Sequence, residues 1–432
     1  MAFASQLIPA VVGVLSFMLL VRNAKPEVLG QFVIYMAAVV LFEMIKSGGL
    51  QSALVMRVSG TDSEQQVRIN GSAYWLGAII SISLSIILGA LYLSGIFRHD
   101  PAIEVFCGWY ALLGIITLPL HIAEATAVAR QDLKFLVWLR ILQSTNALLI
   151  AGYAFLRGGS VKDFATVHLL FPLTLLLIVL LAGKTNPLEI RFKTMEEVKK
   201  LVHLIKYTLA TLATTNLLKS ADTFLIGSFM GPVYVAKYAI PLKLTELFEI
   251  PLRSLSTTAF PHLAAKNNER DHTAFKNSFI QYLSWVYMLY IPALMIAFIL
   301  APYIVLFIGG HQYADTTPIF RVFLLYGLLL PTDRMTGISL DALQMPSKNF
   351  QKVFLMAVVN IVGDLLAITL THQLVWVAFA SALNAATGAL LGWYLLERTG
   401  LLAPGKVWQN VYQYSLSFLA KALQRIRKTS IT

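Results

Sequence analysis

Long apolar runs alternate along the whole chain with short breaks that carry charged residues, proline or glycine. A helix that crosses the hydrocarbon core of a membrane needs roughly 20 mostly apolar residues. Runs of this kind predict twelve spanning helices, numbered here as spans 1 to 12: 3–21, 28–46, 71–94, 103–124, 134–156, 164–182, 204–229, 233–260, 277–300, 318–342, 350–371 and 374–396. The pattern therefore predicts an all-α polytopic membrane protein.

The composition agrees with this pattern and excludes several other classes of protein. Hydrophobic residues make up 57% of the 432 residues and charged residues only 13%. Soluble globular proteins have about 45–50% apolar and about 25% charged residues. The single cysteine, Cys107, excludes a disulfide framework, a thiolate zinc site and an iron–sulfur cluster. The net charge of +12 lies mostly in short loops between apolar runs, so we attribute it to membrane topology and expect no nucleic-acid partner.

The distribution of cations between alternate loops predicts the orientation. The loops after the even-numbered spans, with the C-terminal tail, hold 22 Lys and Arg residues, and Lys352 is counted among them. The opposite loops hold five. Because cytoplasmic loops carry the excess of cations, both termini are predicted to lie in the cytoplasm. Residues 407–428 combine apolar side chains near helical spacing with polar residues between them, which predicts an amphipathic helix on the cytoplasmic surface.

A weak internal repeat divides the predicted helices into two halves. A shift of 206 positions places residues 41–43 on residues 247–249, both with the sequence Leu-Phe-Glu, and a shift of 217 places Glu124 on Asp341. Two six-helix repeats in the same orientation, around a central cavity, suit a transporter whose substrate path lies near the bilayer midplane. The predicted segments are an N-terminal half 1–183, a cytoplasmic linker 184–203 with a surface helix, a C-terminal half 204–396 and a cytoplasmic tail 397–432.

Ionisable side chains inside or at the edges of the predicted spans are the main functional signal, because each is costly unless it faces water or a partner. The cations are Lys46, Lys219, Lys237, Lys243, Arg253, Arg321 and Arg334. The anions are Glu43, Glu124, Asp222, Glu246, Glu249, Asp333, Asp341 and Asp364. They are too many for all of them to reach the interface by snorkelling.

Several of these side chains share one face of a helix. At ~100° per residue, Glu246, Glu249 and Arg253 fall within about 60° of each other on span 8. Polar faces on several helices predict a water-filled cavity. The alternative is that ion pairs three or four residues apart only hold the bundle together.

Two sets of candidate binding residues follow from the cavity interpretation. Charge-assisted contacts to an anionic group such as a diphosphate are expected from Lys46, Lys219, Lys243, Arg253 and Arg334. Binding of a coupling Na⁺ or H⁺ is expected from Glu124, Asp222, Glu246, Glu249 and Asp364. The sequence has no P-loop, no metal-binding histidine spacing and no nucleophile elbow. We therefore predict no catalytic residue, no resident metal and no cofactor beyond the coupling ion, and we expect that the chain is not an enzyme.

Several stretches carry a resemblance to a known family. They are 219–231 (KSADTFLIGSFMG), 235–238 (VAKY), Pro251 with 260–261 (FP), 29–32 (LGQF), 47–50 (SGGL), 55–57 (VMR) and 343–346 (LQMP). These stretches resemble the bacterial polysaccharide (O-antigen) flippases of the multidrug/oligosaccharidyl-lipid/polysaccharide (MOP) exporter superfamily. The resemblance covers nearly the whole chain through loose, hydrophobic motifs. Many members of that family have fourteen spans and a polar leader before span 1, whereas this chain has twelve predicted spans and starts almost inside the first.

The resemblance implies that the chain flips an undecaprenyl-diphosphate-linked oligosaccharide across a bacterial inner membrane by alternating access, for O-antigen and lipopolysaccharide biosynthesis. Membrane lipids and the polysaccharide polymerase machinery are the further partners that it implies. By position it also implies a binding role for Arg22, Lys219, Asp222 and Arg253. Since two covalent halves can form the path alone, a monomer is the expected state.

Two other functions stay open. An ion-coupled small-molecule or multidrug antiporter of the same superfamily would recognise organic cations through the carboxylates, and seven cations against eight anions in the spans do not decide between the two. A membrane-embedded sugar transferase or polymerase would need a long periplasmic loop with catalytic side chains, and no connecting segment has that length.

Overall fold

The computed structural model describes the backbone of residues 4–400 and 413. It also describes their side chains, except those of residues 4–10, 207, 208, 210–215, 217–219, 254 and 257. Every regular element in this part of the chain is a helix, which confirms the predicted all-α class. The predicted interfacial helix at 407–428 falls outside the described residues, with the exception of position 413.

Contacts divide the chain into two compact units, Met1–Ala239 and Ile240–Thr432. The first unit contains α1 (Ala4–Asn23), α2 (Pro26–Glu43), a π-helical turn (Met44–Gly48), α3 (Gly49–Val58), α4 (Ser63–Ser94), α5 (Pro101–Ala129), α6 (Leu133–Arg157), α7 (Val161–Leu181), a 3-10 helix (Pro187–Phe192) and α8 (Met195–Phe229). Helix α9 (Pro232–Asn268) begins in the first unit and continues into the second. The assignment of the helices to two halves joined at 184–203 stays a prediction.

The second unit holds the remaining helices. They are α10 (His272–Ile299), α11 (Ala301–Gly309), a 3-10 helix (His311–Thr316), α12 (Thr317–Gly327), α13 (Leu330–Ala342), α14 (Pro346–Thr371) and α15 (Leu374–Glu397). Its core includes side chains of α9, α10, α13 and α15, with Phe279 and Leu340 fully buried among them.

Helices coincide with the predicted spans, and eight of those in the described chain are long and apolar enough to cross a membrane. These eight are spans 2 to 6, 9, 11 and 12. Span 1 contains a shorter apolar stretch, Val11–Asn23. Span 10 differs from its prediction because it is two helices, α12 and α13, with a break at 328–329. Pro331 lies in the first turn of α13, where its missing N–H does least harm and its ring favours a break before it.

Several of the breaks between apolar runs contain side chains that cap the next helix. The Asp62 carboxylate accepts from Gln65 N at the start of α4, and Asp100 accepts from two backbone N–H groups at the start of α5. At α7, Ser160 and Asp163 form a reciprocal capping box. Each cap satisfies N–H groups that have no partner inside the helix, and so fixes where that helix begins.

The predicted linker differs in one respect from its expected form. The 3-10 helix is a separate element within the linker. The charged surface helix is not separate, because α8 runs without interruption from Met195 to Phe229. The surface helix and span 7 are therefore one helix. Thr194 starts it, because its side chain accepts from Glu197 N.

Candidate functional site

The first unit contains an ion pair at the junction of α2 and α3. The junction is the π-helical turn Met44–Gly48, a distortion that is frequent at functional positions. Lys46 lies in this turn and Glu43 is the last residue of α2, and Lys46 Nζ lies 2.8 Å from Glu43 Oε1. Two residues that the sequence placed three apart on span 2 are therefore in direct contact.

All three hydrogens of the Lys46 ammonium have an acceptor close by. Besides Glu43, Nζ donates to the Gly114 carbonyl oxygen at 2.8 Å and to Thr117 Oγ1 at 2.7 Å, both on α5. The Lys46 side chain is 0% exposed. Because the removal of an ammonium from water costs several kcal/mol, this set of acceptors is what stabilises the charge there. In this structure Lys46 is engaged by the protein itself.

Glu43 is held from α5 as well. Thr117 Oγ1 donates to Glu43 Oε1 at 2.9 Å, and His121 Nε2 lies 2.8 Å from Glu43 Oε2. On the other side of the imidazole ring, Gln51 Nε2 donates to Nδ1 at 2.7 Å. Since Nδ1 accepts, a neutral His121 carries its proton on Nε2, toward the Glu43 carboxylate.

Sequence reasoning missed three members of this network, Gln51, Thr117 and His121. A signal was present, because residues 117 and 121 are four apart and therefore share a face of span 4. It was not enough to identify their partners, which lie on other helices.

The other candidate carboxylates of the first unit also have partners. Glu124 Oε1 lies 3.6 Å from Arg140 Nε, so the contact joins α5 to α6. Asp222 is buried on α8, and its Oδ2 accepts from the Tyr238 hydroxyl on α9 at 2.7 Å. Both contacts tie neighbouring helices together at the position of a predicted coupling group.

Two further predicted cations of this unit lie on α1 and α8. Arg22 lies exposed in the last turn of α1. Lys219 lies in α8, and its side chain is outside the described residues. The binding role predicted for each stays a prediction.

Outside the spans, Arg57 and Glu197 join α3 to the start of α8. Arg57 Nη2 donates to both Glu197 oxygens, at 2.9 and 2.7 Å, and Lys200 Nζ lies 3.1 Å from Glu197 Oε1. Burial by itself would raise the pKa of Glu197, but the hydrogen bonds from Arg57 and Lys200 outweigh it and lower that pKa below its usual range.

In the second unit, the charges predicted on span 8 form pairs along α9. Lys243 Nζ lies 2.6 Å from Glu246 Oε2, and Arg253 Nη2 lies 2.8 Å from Glu249 Oε2. All four side chains keep an exposed fraction, from 20% at Glu249 to 55% at Arg253. Unlike Lys46, the two cations of α9 remain accessible to a further ligand.

An ion pair between predicted spans 10 and 11 corrects one prediction. Lys352 was counted as a loop cation, but it lies in the second turn of α14 and is buried. Its Nζ donates to Asp333 Oδ1 at 2.7 Å and to the Asp333 carbonyl oxygen at 2.8 Å. The neighbouring candidate, Arg334, is exposed on α13. Pro346 starts α14 before Lys352, so helical structure extends into the stretch that the charges assigned to a loop.

Asp364 lies in a polar cluster on α14 and α15. It is 0% exposed, and its Oδ2 accepts from Asn360 Nδ2 at 2.9 Å. Asn384 of α15 then donates to Asn360 Oδ1 at 3.1 Å. Amide and carboxylate oxygens are the ligand types that hard cations prefer. Among the described residues, no group of three His, Cys, Asp or Glu side chains is placed to hold a metal ion.

Each unit thus brings part of the predicted set together. In the first unit Lys46 meets Glu43, and in the second Lys243 meets Glu246 and Arg253 meets Glu249. A cavity of about 620 Å³ in the second unit contains none of the predicted residues; it is lined by His272, Thr273, Lys276, Asn277, Leu343, Met345, Thr399 and Gly400.

Comparison with known proteins identifies the family of this helical, charge-bearing chain. The family described as "Polysaccharide biosynthesis protein" matches residues 19–318, more than two thirds of the sequence. The chain belongs to this family. The predicted resemblance is therefore confirmed. Family membership also confirms the prediction that the chain is not an enzyme, because flippase and transporter families are not enzymes.

Individual relatives are more distant. A protein of Haloferax volcanii named "Probable low-salt glycan biosynthesis flippase Agl15" is 20% identical over 375 residues, which cover 86% of this chain and 76% of the relative. An inward-facing multidrug resistance MATE transporter of the MOP superfamily is similar in structure, with a TM-score of 0.76, 16% identity, and coverage of 93% of this chain and 98% of that one. The lipid II flippase MurJ, in its inward closed conformation, gives a TM-score of 0.72 at 16% identity and covers 96% and 90%. These structural similarities show the fold, which is that of a multi-pass membrane protein.

Proposed function

We propose that this protein flips a lipid-linked oligosaccharide across the membrane by alternating access. The observation that carries the proposal is the match to a polysaccharide biosynthesis family, together with a relative named as a glycan biosynthesis flippase that aligns over 86% of the chain. Charged side chains inside apolar helices support it, because such residues are costly in a membrane unless they serve a substrate or ion path.

The proposed substrate carries its oligosaccharide on undecaprenyl diphosphate, and the pathway is O-antigen and lipopolysaccharide biosynthesis in a bacterial inner membrane, with both termini in the cytoplasm. Polysaccharide polymerase machinery is the proposed consumer of the flipped product. The cations proposed to bind the diphosphate are Arg22, Lys46, Lys219, Lys243, Arg253 and Arg334.

In this proposal, the carboxylate beside each cation is its partner when no substrate is bound. Lys46, Lys243 and Arg253 each contact a carboxylate three or four residues away on the chain. An arriving diphosphate would exchange with that carboxylate, since phosphate oxygens offer the same charge-assisted contact. The carboxylate then neutralises the cation whenever the substrate has left, so that no unpaired charge stays in a region of low dielectric.

A coupling ion is proposed at the carboxylates, with the Asp364 cluster as the main site and Glu124, Asp222, Glu246 and Glu249 as further candidates. Support comes from the buried Asp364 carboxylate, from the Asn360 amide that contacts it, and from the Asn384 amide that contacts Asn360. A bound Na⁺ or H⁺ would stabilise the folded protein. We expect that NaCl in place of choline chloride raises the unfolding temperature of the wild type, and that Asp364→Asn abolishes this shift. An equal shift in the variant would exclude Asp364 as the site.

The experiment that tests the flippase proposal uses a strain deleted for this gene. Lipids are extracted and the undecaprenyl-diphosphate oligosaccharides are weighed by mass spectrometry, while surface polysaccharide is blotted. Accumulation of a complete lipid-linked repeat together with loss of the surface polymer is expected, and the mass identifies the sugar. Intact polymer without accumulation would overturn the proposal. Re-expression of the wild-type chain is the control.

An ion-coupled multidrug antiporter is the second candidate function. One observation favours it, the structural similarity to a MATE transporter at a TM-score of 0.76 over 93% of the chain. The two functions differ in their substrate, since an antiporter exports organic cations. Unchanged tolerance of the deletion strain to toxic organic cations, with loss of surface polymer, would favour the flippase, and the opposite pattern would favour the antiporter.

A further inference from the structure

The 3-10 helix Pro187–Phe192 is fastened to α4 by its backbone. A Cβ atom at Gly71 would overlap the Glu189 carbonyl oxygen, so the absence of a side chain there allows the two backbones to approach closely. Ser72 Oγ donates to the Thr194 carbonyl oxygen at 3.3 Å, and Thr194 N donates to Ser72 Oγ at 3.1 Å. Contacts of this kind hold one face of the segment against the helix.

The segment is also fixed at its start. Tyr74 of α4 and Thr185 share a hydrogen bond, and Thr185 Oγ1 donates to the Pro119 carbonyl oxygen of α5 at 3.2 Å. Asn186 caps the 3-10 helix by accepting from Leu188 N at 3.2 Å. Because both ends are held, the segment is a pre-formed platform, and we name residues 184–195 the linker platform.

The linker platform carries three large apolar side chains that are exposed. Leu188 and Phe192 are each 60% exposed and Met195 is 53% exposed. These residues lie between the end of α7 at Leu181 and the predicted start of span 7, so the spanning helices do not account for their exposure. Large apolar side chains on a rigid, exposed surface mark a place where another apolar phase or partner covers them.

Cations flank these apolar side chains, and one exposed anion, Glu196, lies beside Met195 and pairs with Lys200. Arg191 and Lys193 are exposed in the same segment, and Lys199 is exposed in the first turns of α8. Lys193 Nζ lies 4.4 Å from the centre of the Trp75 ring on α4. Tryptophan is enriched where the hydrocarbon core meets the headgroups, and Trp75 lies in the first apolar turns of span 3. The linker platform therefore lies against the end of predicted span 3, where that span is expected to leave the bilayer.

We infer that the linker platform binds the anionic phospholipids of the adjacent leaflet, with Leu188 and Phe192 inserted among the acyl chains and with Arg191 and Lys193 on the headgroup phosphates. Apolar side chains framed by cations have the composition of segments that lie in an anionic membrane interface. A soluble partner protein fits less well, because Trp75 contacts this segment from the end of a predicted span, where tryptophan is typical of the headgroup region. The inference is independent of the transported substrate.

Spin labelling of the full chain in lipid nanodiscs tests this inference. The natural cysteine, Cys107, is buried, and it is replaced by serine so that Phe192→Cys carries a single nitroxide. Gln65→Cys is the matched control, since Gln65 is exposed in the first turn of α4 on the same predicted side of the membrane. In phosphatidylglycerol we expect collisions with a water-soluble nickel complex to be several-fold rarer at 192 than at 65, and collisions with oxygen to be several-fold more frequent.

A comparison of anionic and zwitterionic lipids tests the role of the headgroup charge. In phosphatidylcholine the label at 192 should become more accessible to nickel, and Arg191→Gln with Lys193→Gln should remove the difference between the two lipids. Equal accessibility at 192 and 65 in both lipids would overturn the inference. Shallow insertion that is equal in both lipids would overturn the role of the anionic headgroup.

Discussion

The ammonium of Lys352 lies 2.7 Å from a carboxylate oxygen of Asp333 and 2.8 Å from the carbonyl oxygen of the same residue. The contact joins α14 to α13, and only 3% of the Lys352 side chain is exposed. Gly392 of α15 lies against this pair, because a Cβ atom there would come within 3.2 Å of Lys352 Cδ. In the second unit, a nearly buried ion pair therefore joins two helices through residues that are nineteen positions apart in the chain.

Breaking this pair should destabilise the protein strongly. Lys352→Met leaves a carboxylate without its cation, and Asp333→Asn leaves a buried ammonium without its anion, so each should cost about 3–5 kcal/mol. The double variant removes both charges and should recover most of that loss. Thermal unfolding of the three variants in detergent measures the effect. Single variants as stable as the wild type, or a double variant as unstable as the sum of the singles, would contradict the prediction.

A close approach of two backbones in the first unit gives a second prediction. A Cβ atom at Gly30 of α2 would overlap the carbonyl oxygen of Pro232 at the start of α9. Backbone atoms cannot move aside as a flexible side chain can, so Gly30→Ala should destabilise the protein by about 1–3 kcal/mol.

Gly152→Ala is the matched control for this substitution. Gly152 lies inside α6 and an added Cβ meets nothing within 4 Å, so alanine there should stabilise the helix by about 0.5–1 kcal/mol. Unfolding temperatures of the two variants in the same detergent should move in opposite directions. An unfolding temperature of Gly30→Ala equal to or above that of the wild type would show that the close contact at Gly30 does not limit stability.

Most helices could be predicted from the sequence because apolar length is a property of a single segment. The caps could be located for the same reason, since Asp62 and Asp100 each act on the helix that follows them. The break inside span 10 could not, because an apolar run with Pro331 in it is compatible with either a kinked helix or two helices. Packing against neighbours decides between these.

The partners of the charged residues were predictable only within one helix. Glu43 with Lys46 and Glu249 with Arg253 follow from spacing along the chain. The sequence did not predict His121 as a partner of Glu43, because that contact depends on the register of α5 against α2. Lys352 was misplaced for a related reason: charge alone suggests a loop, and only the position of Asp333 on another helix makes its burial possible.

The Arg57–Glu197 contact should make stability depend on pH in a defined direction. The pKa of Glu197 is lower in the folded protein than its usual value, with hydrogen bonds from Arg57 and Lys200 overcoming burial. The folded state therefore binds fewer protons, so the stabilisation is present above the ordinary glutamate pKa, about 4.3, and is lost as the pH falls through the folded value. Arg57→Gln should cost about 1–3 kcal/mol at neutral pH and much less in acid.

Unfolding temperatures of wild type and Arg57→Gln at pH values on both sides of that range measure this difference. Arg68→Gln is the control, because the Arg68–Glu64 pair in α4 is exposed on both sides and surface pairs contribute little. A gap between wild type and Arg57→Gln that stays constant down to acid pH would show that ionised Glu197 is not its source.

The last prediction separates a transport role from a structural role for the α9 pairs, and α9 itself supplies the comparison. Lys243 and Lys266 both lie on this helix, and each contacts a glutamate three residues further along, at 2.6 and 2.7 Å. If such pairs only hold the helix in place, neutralising either lysine should have the same small effect, about 0.3–0.5 kcal/mol. If Lys243 meets a diphosphate, Lys243→Gln should reduce surface polymer and accumulate lipid-linked repeat.

Lys266→Gln should leave export unchanged, because Lys266 lies in the last turn of α9, beyond the predicted end of span 8. Both variants are expressed in the deletion strain at matched protein levels, and lipid-linked repeats are quantified by mass spectrometry beside the surface polymer. Glu246→Gln tests the role of the carboxylate. Because this variant removes the group that competes for the Lys243 ammonium, substrate binding should be retained while substrate release slows. Equal export in all three variants would leave the Lys243–Glu246 pair with a structural role alone.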